Sequence, residues 1–130
     1  MAIFADIQNG LASKLNELND LIVDWENTKY KGNEGKVRIH PQLASAQSTL
    51  RDTSGTQENP GFLQIDVYVP LGSGTKSLTS VIDNIYDLFK NQILEVGSTK
   101  IYIRQISRGP SYRSDSCYVG VVDVYYTCYD

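Results

Sequence analysis

The stretch Gly61-Phe62-Leu63-Gln64-Ile65-Asp66-Val67-Tyr68-Val69-Pro70-Leu71-Gly72-Ser73-Gly74 decides the fold. Leu63, Ile65, Val67 and Val69 fall on one side of an extended chain, and Phe62, Gln64, Asp66 and Tyr68 on the other. One side is apolar and the other is not, so this is a half-buried strand of about eight residues. Asn59, Pro60 and Gly61 predict a turn before it. Pro70 and the glycines after it predict its end, because proline has no amide hydrogen for a ladder.

Downstream, Thr75 or Ser77 is placed to cap a helix whose apolar residues Leu78, Ile82, Ile85 and Phe89 step by four, three and four. Gly97 stops that region. Residues Thr99 to Ile106 alternate, Ile101 and Ile103 against Tyr102 and Arg104. A long turn bracketed by Arg108-Gly109-Pro110 and Ser114-Asp115 leads to a last strand, Cys117 to Tyr129, with Val122 and Val124 opposed to Asp123, Tyr125 and Thr127.

Upstream, Phe4, Ile7, Leu11, Leu15, Leu18 and Ile22 form one stripe, which predicts an amphipathic helix from about residue 3 to 19. Gly10 inside it costs about 1 kcal/mol relative to alanine. Asn19 and Asp20 are suited to end the helix, and Leu21 to Trp25 reads as a short strand before a polar loop containing Gly32 and Gly35. Lys36 to Ala44 alternates, Val37 and Ile39 against Arg38 and His40, with Pro41 restricting this strand to an edge or a bulge. Ser45 to Asn59 reads as a polar loop longer than an ordinary hairpin connection, of the kind that is mobile or functional.

The order α-β-β-β-α-β-β predicts an α+β fold, mainly an antiparallel sheet of four to five strands with two helices packed on one face. Residues 1–130 read as one domain, a length that can bury roughly two-thirds of its unfolded surface in a single core. The other face collects Arg38, His40, Gln64, Asp66, Tyr68, Tyr102, Arg104, Asp123, Tyr125 and Thr127. Tyrosine and arginine are enriched in protein interfaces, so Asp66, Tyr68, Tyr102, Arg104 and Tyr125 are the candidate subunit contacts. A solvated face whose tyrosines serve strand propensity is the competing reading.

Composition excludes several functions. Apolar residues at 41% and charged residues at 21% are ordinary for a globular chain and argue against disorder. A net charge of −3 lacks the basic excess that phosphate-backbone binding requires. The start, MAIFADIQ, has no basic region typical of a secretory signal, and no apolar run approaches the ~20 residues of a membrane span. Cys117 and Cys128 lie eleven residues apart on one strand, roughly 36 Å, so they read as free thiols in a reducing compartment. With one histidine and two distant cysteines, no metal-ligand spacing exists.

Catalytic signatures are equally sparse. Gly72-Ser73-Gly74-Thr75-Lys76-Ser77 sits between strand and helix like a phosphate-binding loop, but Thr75 intrudes before the lysine and no glycine stands at the required upstream position. His40 has no nucleophile at a recognised spacing. Asp83 and Asp87 lie four apart on the solvent side of a helix, which lacks the cleft that paired acid-base carboxylates need. Trp25 with Tyr30 suits core anchoring near a loop better than ligand stacking. No enzyme activity, cofactor or metal is indicated.

Trp25-Glu26-Asn27 with Tyr30, Arg38 and Leu43, the block Phe62 to Tyr68 running into Pro70-Leu71-Gly72-Ser73-Gly74, and Gly109-Pro110 before a tyrosine-rich closing strand give the chain a family likeness. It resembles the tail-terminator (tail-completion, minor tail protein U-like) proteins of long-tailed bacteriophages, over nearly its whole length. The resemblance implies a structural virion protein, assembled in the host cytoplasm, that caps the tail tube as a hexameric ring, stops polymerisation and presents the attachment surface for the head. The implied partners are other copies of the chain, the tail tube protein and the head-tail connector or neck protein. DNA would pass through the lumen without specific binding, which suits an acidic chain, and no membrane is involved. The loop from Ser45 to Asn59 would reach a neighbour or the tube. Two alternatives stay open: another neck or tail-tube structural protein, and a small anion- or nucleotide-binding module using the turn from Gly72 to Ser77.

Overall fold

In the computed structural model the residues described are 3–18, 22–23, 37–46, 49–50, 57–70, 74–97, 99–114 and 117–129. In chain order they form α1 (Ile3–Leu15), β1 (Ile22–Val23), β2 (Arg38–Ala46), β3 (Thr49–Leu50), β4 (Gln57–Pro70), α2 (Gly74–Phe89), β5 (Ile93–Val96), β6 (Thr99–Arg108), β7 (Tyr112–Ser114) and β8 (Cys117–Tyr129). The strands build one curled sheet in the order β1-β2-β4-β8-β6-β5, with β3 also on β4 and β7 also on β8. Every pairing is antiparallel except β1 with β2. Two helices and a mainly antiparallel sheet make this an α+β fold, as the patterning predicts.

The core lies between the helices and the predicted apolar side of β4. Leu63, Ile65, Val67 and Val69 are all buried, with Val122, Val124 and Tyr126 of β8 beside them. From the helices come Ile7, Leu11 and Leu15 of α1 and Leu78, Val81, Ile82, Ile85 and Phe89 of α2. Two glycines set how closely the helices approach. A Cβ on Gly10 would lie 2.7 Å from Ile101 Cδ1, and one on Gly120 would lie 3.0 Å from Leu78 Cδ1. Gly10, a liability by helix propensity alone, is what lets α1 settle onto β5 and β6.

Several expectations are corrected. Phe4 shares the stripe of α1 but is 47% exposed, because periodicity specifies a face and not how far a sheet extends beneath it. α1 ends at Leu15 and not near residue 19; Glu17 and Leu18 then donate to the carbonyls of Lys14 and Leu15, three residues back, tightening the last turn. Asn59, Pro60 and Gly61 form no turn but lie inside β4. On the edge of β4 away from β8, β2 pairs up to Gly61 and β3 pairs Glu58 and Gln57, so among the described residues Pro60 has a register partner only in β8, at Thr127. The supposed loop from Ser45 to Asn59 is shortened accordingly at both ends and contains β3.

The region after α2 is also different. The helix begins at Gly74, so Thr75 and Ser77 lie within its first turn and not at the cap. It ends at Phe89, and Asn91 takes a left-handed backbone at φ 56°, the position glycine usually fills. That releases Ile93–Val96 to form β5, and Gly97, at φ 59°, makes the turn into β6. The sheet therefore has more strands than the predicted four to five, the additional ones being the short β3, β5 and β7. The predicted first strand is represented by Ile22–Val23, while Trp25, Glu26, Asn27, Tyr30, Gly32, Gly35, Leu71, Gly72 and Ser73 lie outside the described residues. Pro41 is buried in β2 beyond the two residues that β1 reaches, and a bulge follows between Leu43 and Ser45. Cys117 and Cys128 are buried at opposite ends of β8 and are not joined to each other in a disulfide. Among the described residues no helix is long and apolar enough to cross a membrane.

Candidate subunit interface on the open sheet face

Directly opposed residues of an antiparallel pair share a face, so the register maps the side of the sheet away from the helices. Row by row it brings together Arg38, Tyr68, Val119 and Tyr112; then His40, Asp66 and Val121; then Gln42, Gln64, Asp123 and Ser107; then Phe62, Tyr125 and Gln105; and last Pro60, Thr127, Tyr102 and Ile93. The predicted polar set thus shares one face, with one modification. A bulge between Ile103 and Gln105 leaves Arg104 outside the regular ladder.

Three zones follow. At one end the Arg38 guanidinium lies 4.5 Å above the Tyr68 ring, and its Nη1 donates to Cys117 Sγ at 4.0 Å. Burial, and then the negative charge of Asp66, push the Tyr68 phenol above its ordinary value, with Arg38 pulling the other way. At the far end, the rings of Phe62 and Tyr125 pack tilted at 35° with centroids 5.3 Å apart, and Arg104 lies 5.4 Å from the Tyr102 ring. Here Ile93 is 56% exposed and Tyr125 37%, and a shallow open groove runs along Pro60, Phe62, Arg104 and Thr127.

The middle zone is acidic. Asp66 is only 8% exposed and accepts a 3.2 Å hydrogen bond from Gln64 Nε2. Asp123, diagonal to it on β8, has a buried Oδ1 with no hydrogen-bond partner. Burial and then the neighbouring Asp66 charge raise the Asp123 carboxyl above its ordinary 3.8. The open face is therefore not a uniformly solvated polar surface, because Val119, Asp66 and Thr127 are buried within it.

The five candidate contacts do not form one cluster. Asp66 and Tyr68 sit near the Arg38 end, whereas Tyr102, Arg104 and Tyr125 sit near the other. Tyr68 pairs with Val119 and Phe62 with Tyr125, six residues further along β8 or roughly 20 Å. Ile93 belongs to the same face but carries no alternating signal of its own, because the four-residue β5 follows α2 with no glycine between them. Phe62 was legible as an outward position and Tyr112 lay in the presumed turn. Lys76, Asp83 and Asp87 are exposed on α2, and Asp87 pairs with Lys90 at 3.3 Å.

The family model described as "Phage tail terminator protein" matches residues 5–126. The chain belongs to the phage tail terminator family. As a terminator-family member it is a structural protein of the virion tail. No curated protein matches its sequence. A solved structure of 24% sequence identity matches it with a TM-score of 0.77, covering 95% of this chain and 94% of the other, which shows that the fold is shared.

Proposed function

We propose that this tail terminator closes the growing tail tube as a ring, six copies by resemblance to its family. The ring stops further tube addition and offers its free side to the head's connector or neck protein, after assembly in the host cytoplasm. What carries the reading is the open sheet face: it combines exposed Ile93 and Tyr125 with a half-buried acidic centre, and no described helix covers it. Large rings and guanidinium groups bury much area at low entropic cost, and a face of this kind meeting a different patch on the next copy gives head-to-tail contacts that close into a ring. The acidic balance of the chain, −3 per copy, suits a lumen that DNA crosses without adhering. Asp66, Tyr68, Tyr102, Arg104 and Tyr125 supply the contacts on one side, and the chain between β2 and β4 reaches a neighbour or the tube.

Electron micrographs of the purified protein test this directly. Closed rings at high protein concentration are the expected result, together with no heat of binding on titration with nucleotides. A chain that remains a single molecule at every concentration, or that binds a nucleotide stoichiometrically, overturns the proposal.

A further inference from the structure

The proposed ring contact has a second half that charge distribution identifies. β4 and β8 together carry Glu58, Asp66 and Asp123 and no lysine or arginine. Residues 99–114, which make β6 and β7, carry Lys100, Arg104, Arg108 and Arg113 and no acid. The basic strands adjoin β8, with Ser107 opposite Asp123, but Arg108 pairs with Val122 and Arg113 with Tyr118, which places both arginines on the other side of the sheet from the acidic centre. β5 pairs with β6 only over Thr99–Tyr102, so beyond that point the outer side of β6, and of β7 after it, has no partner strand among the described residues. Arg108 and Arg113 are exposed along this edge, Arg108 donating to Ser111 Oγ at 3.3 Å.

The acidic centre, by contrast, is incomplete within its own chain. Asp123 Oδ1 is buried with no donor, beside a second carboxylate that is itself only 8% exposed. A buried acceptor without a partner is costly, and two neighbouring carboxylates cost more, unless a cation arrives from outside. Resting on the ring reading above, we propose that the Asp66–Asp123 centre of one copy receives an arginine, Arg108 or Arg113, from the β6–β7 edge of the next copy. A guanidinium fits this position because its forked donors can bond to carboxylates bidentately while its plane stacks on neighbouring rings such as Tyr125. Because donor edge and acceptor face are different surfaces, the contact is head-to-tail, and repetition around an axis closes a ring.

The test uses two double variants of the full chain. Asp66→Asn/Asp123→Asn keeps the shape of the acceptor and the intact edge, while Arg108→Glu/Arg113→Glu keeps the acceptor and spoils the edge. Sedimentation of each alone is expected to show loss of the ring species, and an equimolar mixture is expected to form a one-to-one dimer and no ring. In the mixture only one of the two kinds of junction has both halves intact. Circular dichroism of both variants is expected to match the parent. If either variant forms rings as the parent does, or if the mixture contains no dimer while the parent forms rings, the arginine pairing is wrong and the ring stands. If the parent itself never associates, the ring reading fails, and the pairing with it.

Discussion

The same strands, β4 and β8, present two faces under opposite rules. Toward the helices, Leu63, Ile65, Val122 and Val124 are completely or almost completely buried, and Gly120 is held bare so that Leu78 and Ile82 can close over it. Toward the open side, the intervening residues include a buried acceptor without a donor, a phenol with a raised pKa and exposed large apolar groups. The first face is closely packed and leaves only Asn59 Oδ1 without a hydrogen-bond partner among its described residues, whereas the second combines the unpartnered Asp123 Oδ1 with a neighbouring carboxylate and exposed rings. Folding has optimised one side of the sheet, and the other retains unmet valences of the sort that an association can meet.

Substitutions can sharpen or break that contrast. The largest effect is expected on the closed side: Phe89→Ala removes a fully buried ring and should cost about 3–5 kcal/mol in denaturant titration, enough to threaten the fold of a marginally stable domain. Gly120→Val should cost less, roughly 1–3 kcal/mol, through overpacking against Leu78. If either were neutral, the closed face would not be the tightly packed one.

On the open side the sign should reverse for Asp123→Asn. The folded Asp123 carboxyl has its pKa raised above the ordinary 3.8, so the folded chain holds this proton longer than the unfolded one. Its stabilising effect is fully present below the unfolded value and lost as pH rises through the raised folded value. Melting of the single chain at neutral pH should therefore rise in the asparagine variant, by roughly 1–4 °C, and the gap to the parent should narrow on acidification through that window. A lower melting temperature at pH 7 would show that the carboxylate is already satisfied. Smallest of all, Tyr102→Ala with Arg104→Ala should leave the stability of the single chain within roughly 1 kcal/mol and keep its circular dichroism, while weakening self-association in light scattering.

How much of this was legible depends on the range of the determining interaction. The alternation from Leu63 to Val69 and the spacing of Leu78, Ile82, Ile85 and Phe89 are local signals of burial, and each residue went where its period placed it. Parity alone also located Asp66, Tyr68, Tyr102, Asp123 and Tyr125 on one face. What escaped was set by partners distant in sequence. Pro60 reads as a turn until β8 is seen to pair straight through it, and Gly10 reads as a weak helix position until Ile101 is seen beneath it. β5 was hidden because Asn91, and not a glycine, performs the left-handed step that ends α2. The pairing that leaves Asp123 without a donor involves three strands and could not be read from any one of them.

The bulge in β6 has a consequence for chain length. Ile103 faces Tyr126 and Gln105 faces Tyr125, so Arg104 is a supernumerary residue interposed between two consecutive rungs. Excising it would leave every rung above and below in phase, whereas removing any neighbour from an unbulged part of the strand would invert the inside and outside of all that follows. A chain one residue shorter at this point would therefore keep the whole sheet and lose only the cation.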